Sequence, residues 1–427
     1  MGHEISNGIT KVKRVMTKGA LIHTARPEAE RIDGLVTRLR KQYTGDPAAI
    51  RIVKAPLRIS PLGAHIDHQL GQVTGMAVDR AILLAFAPTQ DQTVHVESFD
   101  FQQATTFAVN QVPPYQKGDW GNYVRGAVLA LQQSYELPHG FIGVMDSDMP
   151  IGGLSSSAAV TIAYLLALES ANQLTVTPQE NITLVTRTEH AYIGLNNGIL
   201  DQTSILFSER NHLTLIDCQT VTIEKAPIST QLHEFAILAV HSGVTQALVG
   251  TGYNNRVAEC QEAARQLLHH GGKESVDDPH LRAITPEHFS EHGHRLPEIL
   301  QRRANHFFGE MRRVQQGVTA WRAGDIIQFG QLMTESGASS IYNYECGCPQ
   351  LITLYHILRA TPGVYGTRFS GAGFRGSCLA LIDPAASAAI AETIHAHYPQ
   401  AHPAEAERYS LHLCQPASKA AVLDWSS

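Results

Sequence analysis

The N-terminal part of the chain alternates apolar and polar side chains. The alternation begins at residues 51–53, is longest over 74–87, and recurs at 94–98 and 105–109. Alternation with a period of two is typical of strands that bury one face of a sheet. Residues 27–43 carry helical spacing that ends at a Gly-Asp-Pro turn. The sequence therefore predicts a strand-rich region that is preceded by a helix.

Helical spacing is more common in the next hundred residues. Tyr123 and Leu131 lie on one predicted apolar face, which indicates a helix over residues 120–134. Residues 141–145 form a short apolar run, and this run predicts a strand. Helices joined through an Asn-Asn-Gly turn are expected over residues 157–207.

The second half of the chain predicts more helix than strand. Strands are expected at 212–217 and 235–241, and the pattern from 254 to 366 is mainly helical. Residues 367–382 read as two strands joined by a tight glycine turn. A final helix is predicted over 385–397.

The length of the chain favours two domains. A chain of 427 residues exceeds what one hydrophobic core usually serves, and 43% hydrophobic with 17% charged residues is typical of globular proteins. The Ala-Pro pair at 226–227 lies between two predicted strands and suits a junction. We therefore expect an N-terminal domain over 1–228 and a C-terminal domain over 229–427. Local pattern alone indicates a mixed helix-and-strand protein.

Charge and cysteine content exclude several classes of protein. The formal net charge of −6, with no block of lysines and arginines, argues against a nucleic-acid partner. No apolar run reaches the roughly 18 residues of a membrane span, and we find no secretory signal. The six cysteines lack zinc-type spacing and are typical of reduced thiols. We expect a cytoplasmic protein that binds neither membranes nor nucleic acids.

A glycine- and serine-rich loop precedes a helix and predicts an anion site. Residues 150–159 read Pro-Ile-Gly-Gly-Leu-Ser-Ser-Ser-Ala-Ala, and an apolar helical run follows. Gly152 and Gly153 allow the backbone to approach a ligand. We expect the serines to cap the helix, whose first N–H groups and dipole favour negative charge. A polyphosphate fits this pattern, although an ordinary capped helix has the same sequence features.

Polar groups are concentrated between two predicted strands at residues 56–68. Arg58, His65 and Asp67 are candidates to line one pocket, and the His-x-Asp-His pattern also invites a metal interpretation. That interpretation is disfavoured, because the metallohydrolase pattern needs a histidine where this chain has Gly63. Two more carboxylates, at 189 and 201, suit phosphoryl transfer, in which one holds a cation and one accepts a hydroxyl proton.

The glycine cluster at residues 371–376 literally matches the dinucleotide pattern GxGxxG. A dinucleotide fingerprint follows a strand and opens a helix, whereas this cluster precedes the strand-like run at 377–382. We interpret it as a glycine turn that lies close to a ligand.

Four of these segments, in order, resemble motifs of the GHMP kinase superfamily, and of its galactokinase-type members in particular. Residues 58–68 are similar to the sugar signature, 150–159 to the phosphate loop, 189–202 to the Glu-His…Gly-x-x-Asp-Gln segment, and 366–378 to the final glycine loop. The resemblance implies an α+β protein with the two-domain GHMP kinase fold and an active site in the inter-domain cleft. It also implies ATP and Mg²⁺ as cofactors.

The resemblance assigns roles residue by residue. The implied catalytic residues are Asp201, as acceptor of the sugar hydroxyl proton, and Arg58, which orients it and neutralises charge on the phosphate. Sugar contacts are implied for His65, Asp67, Gly198 and Tyr253, which match the family's positions. Ala64 and Arg375 depart from the family pattern, since Arg375 stands where galactokinase-type members have glycine, and we expect both to lie beside the C6 group of the sugar. The ATP site would include Gly152, Gly153, Leu154, Ser155, Ser156, Ser157, Trp120 and Tyr123. Ser157 and Glu189 would bind Mg²⁺.

One departure from the family pattern bears on the substrate. Galactokinase-type members carry a glutamate beside the C6 group of the sugar, where this chain has Ala64. Two carboxylates about 4 Å apart would repel by about 4 kcal/mol at an intermediate dielectric. Loss of the glutamate therefore favours an acidic sugar, and we expect phosphorylation of the anomeric hydroxyl of D-galacturonate. A neutral sugar such as galactose, or a catalytically silent sugar sensor, are the alternatives.

Overall fold

A computed structural model describes residues 22–150, 154–244, 252–272 and 277–425 of the chain. The strands are β1 (Ile22–His23), β2 (Arg51–Ile59), β3 (Gln72–Thr89), β4 (Thr93–Ser98), β5 (Gln103–Ala108), β6 (Gly140–Ser147), β7 (His212–Asp217), β8 (Thr222–Pro227), β9 (Ala236–His241), β10 (Val364–Phe369), β11 (Ser377–Ile382), β12 (Ser410–Cys414) and β13 (Ala421–Asp424).

The helices match the predicted helical regions closely. They are α1 (Glu28–Leu39), α2 (Asn122–Gln132), α3 (Ser156–Ala171), α4 (Pro178–Arg187), α5 (Leu200–Phe207), α6 (Tyr253–His270), α7 (Pro286–His292), α8 (Glu298–Ala323), α9 (Ile326–Tyr342), α10 (Pro349–Ala360) and α11 (Ser387–Ala401). A π-helical turn, Thr188–Ile193, continues α4. The α+β class is confirmed. No helix among the described residues has the length and apolar run of a membrane span.

An eight-stranded sheet forms the first half of the molecule. Its order is β13-β2-β3-β6-β4-β5, and β7 pairs with β3 and β8 with β7. The 18-residue β3 is almost wholly buried and pairs antiparallel with β2, β6 and β7. Residues 73–78 and 80–87 of β3 are all buried, so the strand is covered on both faces as well as paired at both edges, which suits its central place. Apolar α3 packs on β2 and β3 and is buried nearly all round.

A five-stranded sheet forms the second half, in the order β1-β12-β9-β11-β10. All six residues of the central β9 are buried, as expected for a continuous apolar strand. Both chain ends cross between the halves, since β1 pairs with β12 and β13 pairs with β2. The division at residue 228 stays a prediction. β1 and β13 do not follow it, because β1 belongs to the sheet of the second half and β13 to the sheet of the first half.

The two halves share apolar contacts. Trp321 of α8 is fully buried, lies 5.8 Å from Phe235 and 5.3 Å from Phe329 between ring centroids, and donates a 3.2 Å hydrogen bond to the Ala226 carbonyl. Trp321 and Phe329 belong to the same apolar core as Val53 and Leu57 of β2, so the helical layer of the second half packs against the first sheet.

Candidate active site

One cleft between the two halves gathers most of the predicted site residues. Those that line it are Arg58, Ala64, His65, Asp67, Trp120, Tyr123, Ser155, Ser156, Ser157, Asp201, Tyr253 and Arg375. Leu154, Gly198 and Glu189 are not part of its wall. Leu154 is buried, and its carbonyl accepts a 3.2 Å hydrogen bond from the Arg58 amide. Gly152 and Gly153 lie outside the described residues.

Arg58 and Asp201 form an ion pair at the floor of the cleft. Arg58, on β2, is buried, and its Nε and Nη2 donate to Asp201 Oδ1 at 2.8 and 2.5 Å. The Ser155 hydroxyl donates to Asp201 Oδ2. Asp201 lies in the first turn of α5, and 20% of its side chain is exposed. A carboxylate held at both oxygens and open to the cleft is oriented to accept a proton from a substrate hydroxyl.

The prediction that the serines cap α3 is wrong for Ser155. Ser155 lies in the left-handed region at φ 59° and caps no backbone amide of α3, because its hydroxyl is bonded to Asp201 instead. The first amides of α3 therefore have no side-chain cap beside the cleft. Uncapped amides and the helix dipole together favour an anion at this point.

Glu189 lies in the π-helical turn behind these serines and is 1% exposed. Asn197 Nδ2 donates to its Oε2 at 2.6 Å, and the Ser157 side chain also bonds to it, whereas Oε1 is buried with no hydrogen-bond partner. Burial raises the pKa of this carboxyl to about 8. A cation beside Oε1 would supply the missing partner and favour the charged form.

The few oxygen ligands around Glu189 fit Mg²⁺ better than a metal that needs several protein ligands. Among the described residues, no group of three or more His, Cys, Asp or Glu side chains is placed to hold a metal ion. Mg²⁺ usually takes one or two protein oxygens and completes its octahedron with water and phosphate. Ser157 and Glu189 meet that need, whereas His65, Asp67 and His68 form no metal cluster.

Asp67 and Gly198 are in close contact, and Asp67 lies near Asp201. The Leu200 amide donates to Asp67 Oδ2 at 3.4 Å, and burial raises the pKa of Asp67 to about 6, with the nearby Asp201 charge adding to the effect. Tyr253, at the start of α6, is buried and lines the same part of the cleft. These polar groups are placed to bind several hydroxyls of a small polyol.

His65 is held as a neutral imidazole. Its backbone is left-handed at φ 56°, its ring stacks on Tyr344 at 4.4 Å and 3°, and Nε2 lies 3.3 Å from Cys346 Sγ. Burial lowers the pKa of His65 well below its ordinary value, and neighbouring His306 adds to the shift. The imidazole can therefore offer a hydrogen bond to a ligand without a formal charge.

A buried network that the motifs do not include holds the turn at Ala64. Glu310 of α8 accepts hydrogen bonds from the Gly63 and Ala64 amides, each at 2.9 Å, and pairs with Arg313 Nη2 at 2.6 Å. His306 Nε2 donates to the Ala64 carbonyl at 2.7 Å. The sequence motifs do not predict these residues, because a charged residue in the middle of a helix has the same local pattern whether it faces solvent or a buried partner.

Aromatic residues line the far end of the cleft. Phe101 stacks on Trp120, with ring centroids 5.8 Å apart and planes at 11°. The two rings present a flat apolar surface in the cleft, which Tyr123, a predicted ATP contact, also lines. Arg375 and Tyr123 both line the cleft, and the two side chains interact electrostatically. The sequence does not predict Phe101 as a site residue, since nothing in its local pattern distinguishes it from a surface aromatic. Arg375 as a sugar contact stays a prediction.

Three family profiles match the chain. The profile described as "GHMP kinases N terminal domain" matches residues 122–209, "GHMP kinases C terminal" matches 318–400, and "Galactokinase galactose-binding signature" matches 37–88. The first includes Asp201 and Glu189, and the third includes Arg58 and Asp67.

Curated relatives match over most of their length. A galacturonokinase of Arabidopsis thaliana is 44% identical over 402 residues, or 88% of this chain and 95% of the relative. A galactokinase of Roseiflexus sp. (strain RS-1) is 34% identical over 85% of this chain and 90% of its own. The galactokinase of Homo sapiens is 33% identical, with coverage of 84% and 90%.

Solved structures agree with these matches. A crystal structure of Lactococcus lactis galactokinase complexed with galactose superposes with a TM-score of 0.83 at 27% identity, covering 92% of this chain and 99% of that one. The Methanococcus jannaschii mevalonate kinase gives a TM-score of 0.60 at 16% identity, over 86% and 98% of the two chains, which shows a common fold alone. The chain therefore belongs to the GHMP kinases, among their galactokinase-like sugar kinases, and has their α+β fold.

Proposed function

We propose that this protein transfers the terminal phosphate of ATP to the anomeric hydroxyl of D-galacturonate. The observation that carries the proposal is 44% identity to a galacturonokinase over nearly the whole of both chains. It is supported by Ala64, which leaves a cleft position beside His65 without a carboxylate. An acidic sugar therefore meets no like charge from that residue.

The proposed chemistry needs little beyond positioning and charge stabilisation. Asp201 accepts the proton of the O1 hydroxyl as that oxygen bonds to the terminal phosphorus of ATP, while the bond from this phosphorus to the bridging oxygen breaks and ADP leaves. Arg58 holds Asp201 by two hydrogen bonds and places positive charge where the transferring phosphate becomes more negative. The uncapped start of α3 lies beside Asp201 and suits the phosphates.

ATP and Mg²⁺ are the cofactors we propose. Trp120 and Tyr123 would contact the adenine, while the loop that includes Gly152 and Gly153 would follow the phosphates. Mg²⁺ neutralises phosphate charge when it is bound, and Ser157 with the unpartnered oxygen of Glu189 would hold it. We place the reaction in the cytoplasm, which the six free cysteines support.

Galactose is the second candidate substrate. It is favoured by the match to the galactose-binding signature and by galactokinase relatives at 33–34% identity. A silent sugar sensor is disfavoured, because Arg58, Ser157, Glu189 and Asp201 are all present in the cleft or directly behind it.

A coupled ADP-release assay with a sugar panel tests the proposal. Galacturonate, glucuronate, galactose and arabinose would be compared at equal concentrations, with ATP and Mg²⁺ present. We expect the highest kcat/KM for galacturonate. A higher kcat/KM for galactose would favour the neutral-sugar kinase, and no ADP release with any sugar would favour the sensor.

A further inference from the structure

Arg368 is a buried cation with few partners. It lies on β10, is 2% exposed, and lines the cleft together with Ala64 and His65. Its Nε donates to the carbonyl of the adjacent Phe369 at 3.0 Å, while Nη1 is buried with no hydrogen-bond partner. No carboxylate among the residues that the structure describes forms an ion pair with it. One end of the guanidinium is therefore left without an acceptor.

The carboxylate that acts on Arg368 is already bonded to other groups. Glu310, which acts electrostatically on Arg368, accepts from the Gly63 and Ala64 amides and pairs with Arg313. Burial lowers the pKa of Arg368 to about 10, and the like charge of Arg58 adds to that effect. A buried charge without a partner is costly, so natural sites that keep one usually bind a counter-ion.

Arg303 is a buried arginine with a structural role, and it serves as a comparison for Arg368. The side chain of Arg303 is 1% exposed, and all three of its nitrogens are bonded. Nε donates to Glu259 at 2.6 Å, Nη1 to the Asn343 carbonyl at 2.6 Å, and Nη2 to Glu345 at 2.7 Å. Arg368 is equally buried but lacks this set of acceptors, and it lines the cleft.

We infer that Arg368 binds the C6 carboxylate of the hexuronate substrate, beside the Ala64 position. The inference rests on the proposed function, because a neutral sugar offers no such anion. A guanidinium presents parallel N–H donors that match the two oxygens of a carboxylate. Ala64 contributes no side-chain carboxylate of its own, so the substrate would supply the anion that this part of the protein lacks.

This assignment differs from the predicted role of Arg375. Arg375 also lines the cleft, but its electrostatic partner is Tyr123, among the aromatic residues of the site. Arg368 instead lines the cleft with Ala64 and His65, and the acid that acts on its charge is Glu310, which holds the Ala64 turn. The two arginines therefore serve different parts of the site, and single variants can separate them.

Arg368→Met and Arg368→Lys test the inference. Calorimetry with galacturonate alone would give its Kd, and steady-state assays would give kcat/KM for galacturonate and galactose. We expect Arg368→Met to raise the Kd for galacturonate about 10²-fold or more, with a smaller change in kcat/KM for galactose. Arg368→Lys, which keeps the charge without the fork, should lie between it and the parent protein. Arg359→Gln, an exposed arginine outside the cleft wall, is the control and should change neither quantity.

Thermal melting separates ligand binding from a structural role. Removal of an unpartnered buried charge should leave the melting temperature of the ligand-free protein unchanged or higher, whereas loss of a structural arginine lowers it. The Tm increase caused by galacturonate should disappear in Arg368→Met, while the increase caused by ADP remains.

Three results would overturn the inference. They are a galacturonate Kd within threefold of the parent value, equal losses for both sugars together with a lower Tm, or the galacturonate effect appearing in Arg375→Gln instead. If the parent protein phosphorylates galactose but not galacturonate, the proposed function itself fails. If the parent and Arg368→Met use galacturonate equally, only the role of Arg368 fails.

Discussion

Gly198 stands against Asp67 so closely that no side chain fits between them. A Cβ atom at position 198 would lie 2.5 Å from Asp67 Cγ and 2.6 Å from its backbone carbon, so rotation of the Asp67 side chain cannot relieve the clash. The glycine therefore allows the segment that leads into α5 to pack on Asp67. This contact sets the position of Asp67 relative to Asp201.

Gly198→Ala should weaken sugar binding more than ATP binding. The added methyl group must displace Asp67 or the segment before α5, and small displacements of positioning groups cost about 10²-fold in rate. Steady-state kinetics should show a higher KM for the sugar, with a smaller change in KM for ATP. Gly34→Ala is the control, since a Cβ there meets nothing within 4 Å, and it should retain activity. Unchanged sugar kinetics in Gly198→Ala would contradict this packing.

Asp201→Asn should retain the fold and lose turnover. The amide oxygen can still accept from Arg58, and the amide nitrogen can donate to the Ser155 hydroxyl, so the local hydrogen bonds survive. Loss of a general base typically lowers kcat about 10²–10⁴-fold. Asp217→Asn removes another arginine-paired carboxylate, outside the cleft wall, and should keep kcat. A near-normal kcat in Asp201→Asn would remove Asp201 from the catalytic role.

Ala64→Glu should reduce the use of galacturonate and favour galactose. The Ala64 amide and carbonyl are held by Glu310 and His306, so the backbone of the turn should stay in place while a carboxylate enters the cleft. Repulsion between this carboxylate and a sugar acid then raises KM for galacturonate. The ratio of kcat/KM values for the two sugars is the measurement. If galacturonate kinetics do not change, position 64 does not face the C6 group.

Glu189→Gln should raise the Mg²⁺ concentration needed for activity. The amide can still accept from Asn197, but it lacks the negative charge that the unpartnered oxygen offers to a cation. Half-maximal rate should require about tenfold or more Mg²⁺. Glu209→Gln, which breaks an exposed pair with Lys225, is the control. Identical Mg²⁺ titrations of the parent protein and Glu189→Gln would exclude this role.

Glu169→Gln should stabilise the protein at neutral and alkaline pH. Burial raises the pKa of this α3 carboxyl from 4.5 to about 7, and Asn181 Oδ1 beside it is buried without a partner. The unfolded chain ionises above pH 4.5 while the folded one stays protonated up to about 7, so stability falls across that interval and then levels.

The glutamine has no such titration, and its amide can donate to Asn181. We expect Tm to rise by about 2–4 °C above pH 7, with little difference below pH 4.5. A difference between the two proteins that does not depend on pH would show that Glu169 does not titrate in this way.

Much of the secondary structure could be predicted from apolar spacing. The long alternation at 74–87 became β3, and the predicted helix at 120–134 became α2. Strands β8 and β13 escaped prediction. Both are short and half exposed, and their pairing is decided by distant partners, β7 and β2. The local sequence of a strand does not indicate which distant strand it pairs with.

In the candidate site, too, residues within local motifs could be predicted, whereas residues whose role depends on tertiary contacts could not. Motif resemblance selected Arg58 and Asp201, which the fold places in contact, because each lies within a short recognisable segment. Ser155 was predicted as a helix cap, and its bond to Asp201 depends on tertiary contact. Glu310 and Arg368 were not singled out, since their importance comes from burial beside the Ala64 turn.

The most direct test of the central claim is the structure of the product. Phosphorus and proton NMR of a reaction with D-galacturonate, ATP and Mg²⁺ would show which oxygen carries the new phosphate. We predict galacturonate 1-phosphate, with the phosphorus coupled to the anomeric proton. Phosphate on any other oxygen, or no product from galacturonate when galactose is phosphorylated in the same conditions, would contradict the account.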